Sequence, residues 1–74
     1  MTNTEMIAKL KRNYKEEAKS AVEYLNMKDD NLSTERIRER FYEHIGARNA
    51  YGNILAMLGV PIQELQEILD EVNK

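Results

Sequence analysis

At 74 residues, with a formal net charge of −2, the chain has room for one small domain and no overall electrostatic reason to bind nucleic acid or an anionic membrane. It contains no cysteine and a single histidine, which excludes a disulfide framework and a zinc site built from cysteine and histidine. No run approaches the roughly 18 apolar residues of a membrane span and no signal-peptide layout opens the chain, so we expect a cytoplasmic protein without membrane contact.

The small size of the chain limits how much apolar surface it buries alone. A domain of this length buries only about 60% of the surface that its unfolded form exposes. The free energy gained by this burial is close to the free-energy cost of the conformational entropy lost on folding. Association with further copies would bury more surface. We therefore expect a homo-oligomer, with a dimer favoured.

The first helix is predicted over about residues 4–27. One proline and three glycines are all that interrupt a chain rich in good helix formers. Apolar or small side chains recur here at spacings of three and four residues, which is typical of a helix with one buried stripe. The stripe contains Ile7, Leu10, Tyr14, Ala18, Ala21, Val22 and Leu25.

The second helix is predicted over about residues 34–58. Ser33 is a good N-cap for this helix. Leu32 and Ile37 lie on either side of the cap at the spacing of a hydrophobic staple, which fixes the angle at which the chain enters the helix.

The third helix is predicted over about residues 61–72. Gly59 suits the left-handed position after the second helix, and Pro61 suits the first position of the third. Residues 60–74 hold four carboxylates and one lysine, so this amphipathic helix is acidic. We expect an all-α, three-helix domain over residues 1–74, with two longer antiparallel helices and a shorter C-terminal one, assembling into a larger bundle.

The second half of the second helix is apolar or small in nearly every direction on a helical wheel. One short neighbour does not cover such a helix, so we expect this half to pack against a second copy or another protein. Its small residues allow close approach either by that partner or by the first helix, and both interpretations stay open. The predicted interface residues are His44, Arg48, Ala47, Tyr51, Gly52, Ile54, Leu55 and Leu58.

His44 and Arg48 lie one turn apart on the stripe of the second helix that is predicted to face the core. A buried guanidinium must be paired, because an unpaired one carries a large desolvation penalty. The candidate acceptors are Glu16, Glu17, the phenol of Tyr14 and backbone carbonyls at a helix end. Arg48 is then either a structural residue that is hydrogen-bonded within the chain or, with His44 and Tyr51, part of a polar pocket or the centre of an interface.

No pattern of residues predicts catalysis. The chemical inventory is one histidine, two serines, three threonines and scattered carboxylates, without a recognisable catalytic spacing. A di-iron bundle needs a glutamate three residues before each of two histidines, but Phe41 stands three before His44 and there is no second histidine. We expect no catalytic residue, no metal and no cofactor.

An alternative function is nucleic-acid binding through the basic ends of the first two helices. The candidate contacts are Arg36, Arg38, Arg40, Lys11, Arg12 and Lys15. Glutamates alternate with the three arginines of this group, so local ion pairs would neutralise much of their field. The leading expectation is therefore a non-enzymatic interaction module, a small adaptor or regulator that presents a helical face to another protein. Its acidic third helix suits a basic partner surface.

Overall fold

The computed structural model describes residues 2–26 and 33–74, and in these residues the chain forms three α-helices and no strand. Helix α1 spans Asn3–Leu25, α2 spans Thr34–Met57 and α3 spans Ile62–Val72. The predicted all-α, three-helix fold is confirmed, and the third helix is, as predicted, much the shortest.

Side-chain caps fix the starts of the two long helices. The hydroxyl oxygen of Thr2 accepts a hydrogen bond from the backbone N–H of Glu5 at 3.1 Å, and that of Ser33 accepts one from Arg36 at 3.1 Å. These bonds satisfy N–H groups that have no partner inside the helix. The predicted cap at Ser33 is confirmed, whereas Leu32 of the predicted staple lies outside the described residues. Helix α1 ends at Leu25, two residues before its predicted end.

Helices α1 and α2 pack side by side in antiparallel orientation. The ring of Tyr14 lies against the backbone of α2 at Gly52, and ten residues further along α1 the ring of Tyr24 stacks on His44. From the first contact to the second, the residue number increases on α1 and decreases on α2, as the predicted antiparallel arrangement requires.

The core lies where α1, the C-terminal half of α2 and the start of α3 meet. Leu55 is completely buried, and Tyr14, Val60 and Leu65 are buried around it. Partly buried apolar side chains of all three helices pack against this cluster, namely Ile7, Leu10, Tyr51, Ile68 and Leu69. Leu55 is the one buried residue within α2, so a single chain leaves most of that helix uncovered.

Gly59 makes the turn after α2. Its φ is +92°, a backbone conformation that residues with a Cβ rarely adopt. The N–H of Gly59 donates to the carbonyl of Ala56 at 3.1 Å, and the N–H of Val60 donates to that of Leu55 at 3.0 Å. These bonds satisfy carbonyls at the end of α2, so the predicted role of Gly59 is confirmed.

The sequence predicts Pro61 as the first residue of α3, but in the structure Pro61 is the N-cap and α3 begins one residue later. Its ψ of 145° is extended, and α3 begins at Ile62. The carbonyl of Pro61 accepts hydrogen bonds from the N–H groups of Glu64 and Leu65 at 3.0 and 3.3 Å. The ring favours this position because its fixed φ suits the extended conformation and no N–H is needed there.

Helix α3 lies alongside α1 and runs in the same direction. Lys11 forms an ion pair with Glu64, and one turn further along α1 the Nζ of Lys15 lies 3.2 Å from Oε1 of Glu71. The backbones of α2 and α3, by contrast, approach each other at few positions. Helix α1 is thus the shared partner of the other two, and an open trough is left between α2 and α3.

Two glycines of α2 give a matched test of this packing. A Cβ at Gly52 would lie 3.1 Å from Cε2 of Tyr14, whereas a Cβ at Gly46 would meet nothing within 4 Å. Gly46→Ala is expected to raise the free energy of unfolding by about 0.8–1.0 kcal/mol, the difference in helix propensity. Gly52→Ala is expected to raise the free energy of unfolding by less than this, or to lower it, because the buried Tyr14 ring must move. If chemical denaturation gave the same increase in unfolding free energy for both variants, the packing of α1 on α2 would be contradicted.

Candidate interaction surface

A long stretch of the chain around the turn between α2 and α3 is uncharged. Residues 49–63 contain no charged side chain, although 32% of the whole chain is charged. Large apolar side chains of this stretch are exposed: Met57 is 86% exposed, Ile62 79%, Ile54 43% and Leu58 39%. Because interface centres are depleted in charge and rich in large apolar side chains, this stretch has the composition of a contact surface.

Part of this surface lies on one side of α2. Successive residues of an α-helix are rotated by about 100° around its axis. Ile54 and Leu58 therefore lie on one side of the buried Leu55. Gly52 and Ala56 lie on its other side, next to α3. Ala47 and Met57 continue the side of Ile54 along the helix. We call Ala47, Ile54, Met57 and Leu58 the outer face of α2.

Six of the eight predicted interface residues fall into two groups in the structure. Three of them lie on the outer face: Ala47, Ile54 and Leu58. Leu55 is fully buried, Tyr51 packs against the core and Gly52 is covered by the ring of Tyr14. These three residues hold α2 on α1 and do not belong to the outer face. The close approach at Gly52 is therefore intramolecular.

His44 connects the middle of α2 to α1. Its Nδ1 lies 2.6 Å from Oε2 of Glu17, and its ring stacks on that of Tyr24 with centroids 5.4 Å apart and planes at 18°. The side chains of His44 and Glu17 are each 28% exposed. The imidazole is thus engaged by α1 on two sides, which makes His44 a link between the helices.

Arg48 does not meet any of the acceptors that the sequence offers for a buried guanidinium. It is partly buried, and its Nε and Nη2 donate to Oδ1 of the neighbouring Asn49 at 3.3 and 3.0 Å. Glu17, one of the expected acceptors, instead contacts His44. The expectation is wrong because α3 does not cover this part of α2, so the guanidinium reaches solvent and needs no buried acceptor.

The trough between α2 and α3 is the second open feature of the molecule. It contains two depressions of about 430 and 160 Å³, with α1 as the floor of both. The apolar and small lining is Tyr14, Ala18, Ala21, Val22, Leu25, Phe41, Ile45, Gly52, Ala56, Ile62, Leu65, Leu69 and Val72. The polar lining is Arg48, Asn49, Asn53 and Asn73. We call this feature the α2–α3 trough.

The six basic residues of the nucleic-acid alternative do not form one patch. Lys11 and Lys15 pair with carboxylates of α3, and Arg40 lies 3.5 Å from Glu43. Arg12, Arg36 and Arg38 are exposed. Since α1 and α2 are antiparallel, the start of α2 lies beside the end of α1, which separates the arginines of α2 from the basic residues in the first half of α1.

Within residues 2–26 and 33–74, no three acidic or histidine side chains come together as a metal site. In that same part of the chain, none of the helices combines the length and apolar character needed to cross a membrane.

Leu25 belongs to the predicted buried stripe of α1, yet it is 66% exposed. Met57 and Ile62 are two further exposed apolar residues that the helical patterns do not identify. The amphipathic pattern groups Ile62 with the apolar side of α3, yet Ile62 is largely exposed. Met57 lies off the apolar stripe of α2. The signal that does identify both residues is the lack of charge over residues 49–63.

Comparisons with protein-family models, with curated proteins and with solved structures found no match to this chain.

Proposed function

We propose that this chain is a non-enzymatic interaction module, a small adaptor or regulator, that associates with a second copy and with another protein through the outer face of α2. One observation carries this proposal: the uncharged residues 49–63 expose large apolar side chains in an otherwise highly charged chain. Contiguous apolar surface of this kind is rare on small proteins that have no partner.

The lack of charge favours a second copy as one partner. A two-fold contact places the same surface patch on both subunits, so any charge in the patch would meet its like. The outer face of α2 and the residues around it from 49 to 63 carry none. Two copies of this face therefore meet without electrostatic repulsion.

The exposed fractions of the outer face set the strength of the contact. Full burial of a large aliphatic side chain contributes about 1.5–3 kcal/mol. The exposed parts of Ile54, Met57 and Leu58 then contribute about 5–10 kcal/mol over two copies. Association costs about 4–15 kcal/mol in lost freedom. A weak dimer that depends on concentration is therefore expected, and another protein with an apolar face competes for the same surface.

Sedimentation velocity over a series from micromolar to about 1 mM tests the proposal. The wild-type chain is expected to shift from monomer to dimer as concentration rises. Ile54→Asp and Met57→Asp are expected to stay monomeric and helical, since each places two like charges in the contact. Thr4→Asp adds the same charge in the first turn of α1, outside residues 49–63, and serves as the control, which should still dimerise. A monomer at every concentration, or a dimer that survives both outer-face changes, would contradict self-association through this face.

A further inference from the structure

The two ends of the α1–α2 pair differ in what covers them. The core cluster lies at the end where α3 joins the pair, and its members are Tyr14, Leu55, Val60 and Leu65. The 11 residues of α3 span about 16 Å, against about 35 Å for the 23 residues of α1. With Glu71 of its last turns at Lys15, α3 ends before α1 does. We call residues 19–25 of α1 and 34–45 of α2 the two-helix end.

The two-helix end contains few buried side chains. Ala21 is the one buried residue within these two ranges, and Leu25 is exposed. The other apolar side chains there are only partly buried, namely Val22, Ile37, Phe41 and Ile45. From α3, only residues of its C-terminal end come near, namely Leu69, Val72 and Asn73. Because apolar burial is the main favourable term in folding, the two-helix end contributes less to stability than the core does.

One polar contact ties α1 to α2 beside the two-helix end. Nδ1 of His44 lies 2.6 Å from Oε2 of Glu17, and the ring of Tyr24 stacks on the imidazole. Within residues 2–26 and 33–74, this is the one side-chain hydrogen bond that joins α1 to α2. Both of its partners are mostly shielded from water, which limits competition by solvent. We call Glu17, Tyr24 and His44 the clasp.

We propose that the two-helix end opens as one unit while the core stays folded, and that the clasp controls how often it opens. Native proteins open in cooperative units, and the units with few buried apolar contacts open at the lowest free energy. Opening separates His44 from Glu17 and Tyr24. It also exposes apolar side chains of both helices, such as Val22 and Phe41. This conformational device does not depend on self-association through the outer face of α2.

Hydrogen exchange of the full chain, measured by mass spectrometry, tests this opening. The measurement uses a low micromolar concentration, at which the proposed weak dimer dissociates, and conditions in which the rates report the opening equilibrium. Backbone amides of the two-helix end, on both helices, are expected to exchange at least about tenfold faster than those around Leu55 and Leu65. Denaturant should speed the core amides more steeply, because global unfolding exposes more surface than partial opening does.

A substitution in the clasp and one in the core separate partial opening from global unfolding. Glu17→Ala removes a contact that is lost in both the open and the unfolded states. Exchange is therefore expected to be about fivefold faster at the two-helix end and in the core alike. Leu65→Val weakens packing that the open state retains, so it is expected to speed the core amides about fivefold and leave the two-helix end unchanged.

Glu16→Ala is the matched control for the clasp. Glu16 is exposed, and its Oε1 lies 4.0 Å from Nζ of Lys19. Its substitution makes the same change in charge and in side chain as Glu17→Ala, one residue away, without touching His44. Because exposed ion pairs contribute little to stability, all exchange rates are expected to stay within about twofold of the wild type.

Three results would overturn the proposal. If Leu65→Val sped all amides equally, the chain would open only by global unfolding. If exchange slowed residue by residue from each helix end inward, with no rate shared between α1 and α2, the two helices would fray separately. If Glu17→Ala and Glu16→Ala gave the same rates, the clasp would not control the opening.

Discussion

Leu55→Ala is expected to lower the free energy of unfolding by about 2–5 kcal/mol, the range for truncating a fully buried leucine. Leu55 is 0% exposed and is surrounded by the other core residues of α1, the turn and α3. The cavity left by the missing atoms cannot be filled by so small a core. Since small domains are stable by only about 5–15 kcal/mol, the variant loses a large share of its stability.

Thermal and chemical denaturation followed by circular dichroism measures this loss. Met57→Ala is the control, because Met57 lies in the same helix two residues away and is 86% exposed. At a concentration where the chain is monomeric, the control is expected to change stability by no more than about 0.5 kcal/mol. Equal effects of the two changes would show that Leu55 is not at the centre of the core.

Gly59→Ala is expected to cost about 1–2 kcal/mol, the second largest effect of a single substitution considered for this chain. The φ of +92° at Gly59 is disfavoured for any residue with a Cβ. A Cβ at this position would meet nothing within 4 Å, so the cost is conformational and not a clash with neighbours. The turn that places α3 on α1 therefore depends on the backbone of this one residue.

Gly59→Asn separates the backbone effect from other consequences of the change. Asparagine adopts the left-handed region more readily than alanine, so its cost is expected to be smaller. The same denaturation measurement applies to both variants. If alanine were tolerated as well as asparagine, the turn would not require a positive φ at residue 59.

The three helices follow from local features of the sequence. Spacings of three and four residues predict the amphipathic α1 and α3, and capping chemistry predicts the start at Ser33 and the stop at Gly59. These features act within one or two helical turns, so they are visible without any tertiary contact. The one-residue displacement at Pro61 arises because proline suits both the N-cap and the position after it.

Side-chain partners and open surfaces were harder to predict, because they depend on how the helices are arranged. The sequence offers Glu17 as an acceptor for Arg48, but the position of α1 against α2 places it on His44. The apolar pattern of α2 likewise does not say which side α3 covers. Leu55 and Ile54 are neighbours in sequence, yet one is at the centre of the core and the other is on the outer face.

The α2–α3 trough could not be predicted for the same reason. It exists because α3 packs along α1, where Leu65 joins the core and two acids meet lysines, and lies away from α2. In sequence, Ile62 and Leu65 look alike as members of one apolar side. In the structure Leu65 is buried, whereas Ile62 is 79% exposed.

Methyl NMR spectra recorded over a concentration series test most directly whether the outer face of α2 is a contact surface. The methyl groups of Ile54, Met57 and Leu58 are expected to shift as concentration rises, because they enter the contact between copies. Those of Leu55 and Val60 are buried in each chain and are expected to stay in place. Shifts confined to other residues, or no shift up to about 1 mM, would contradict the account.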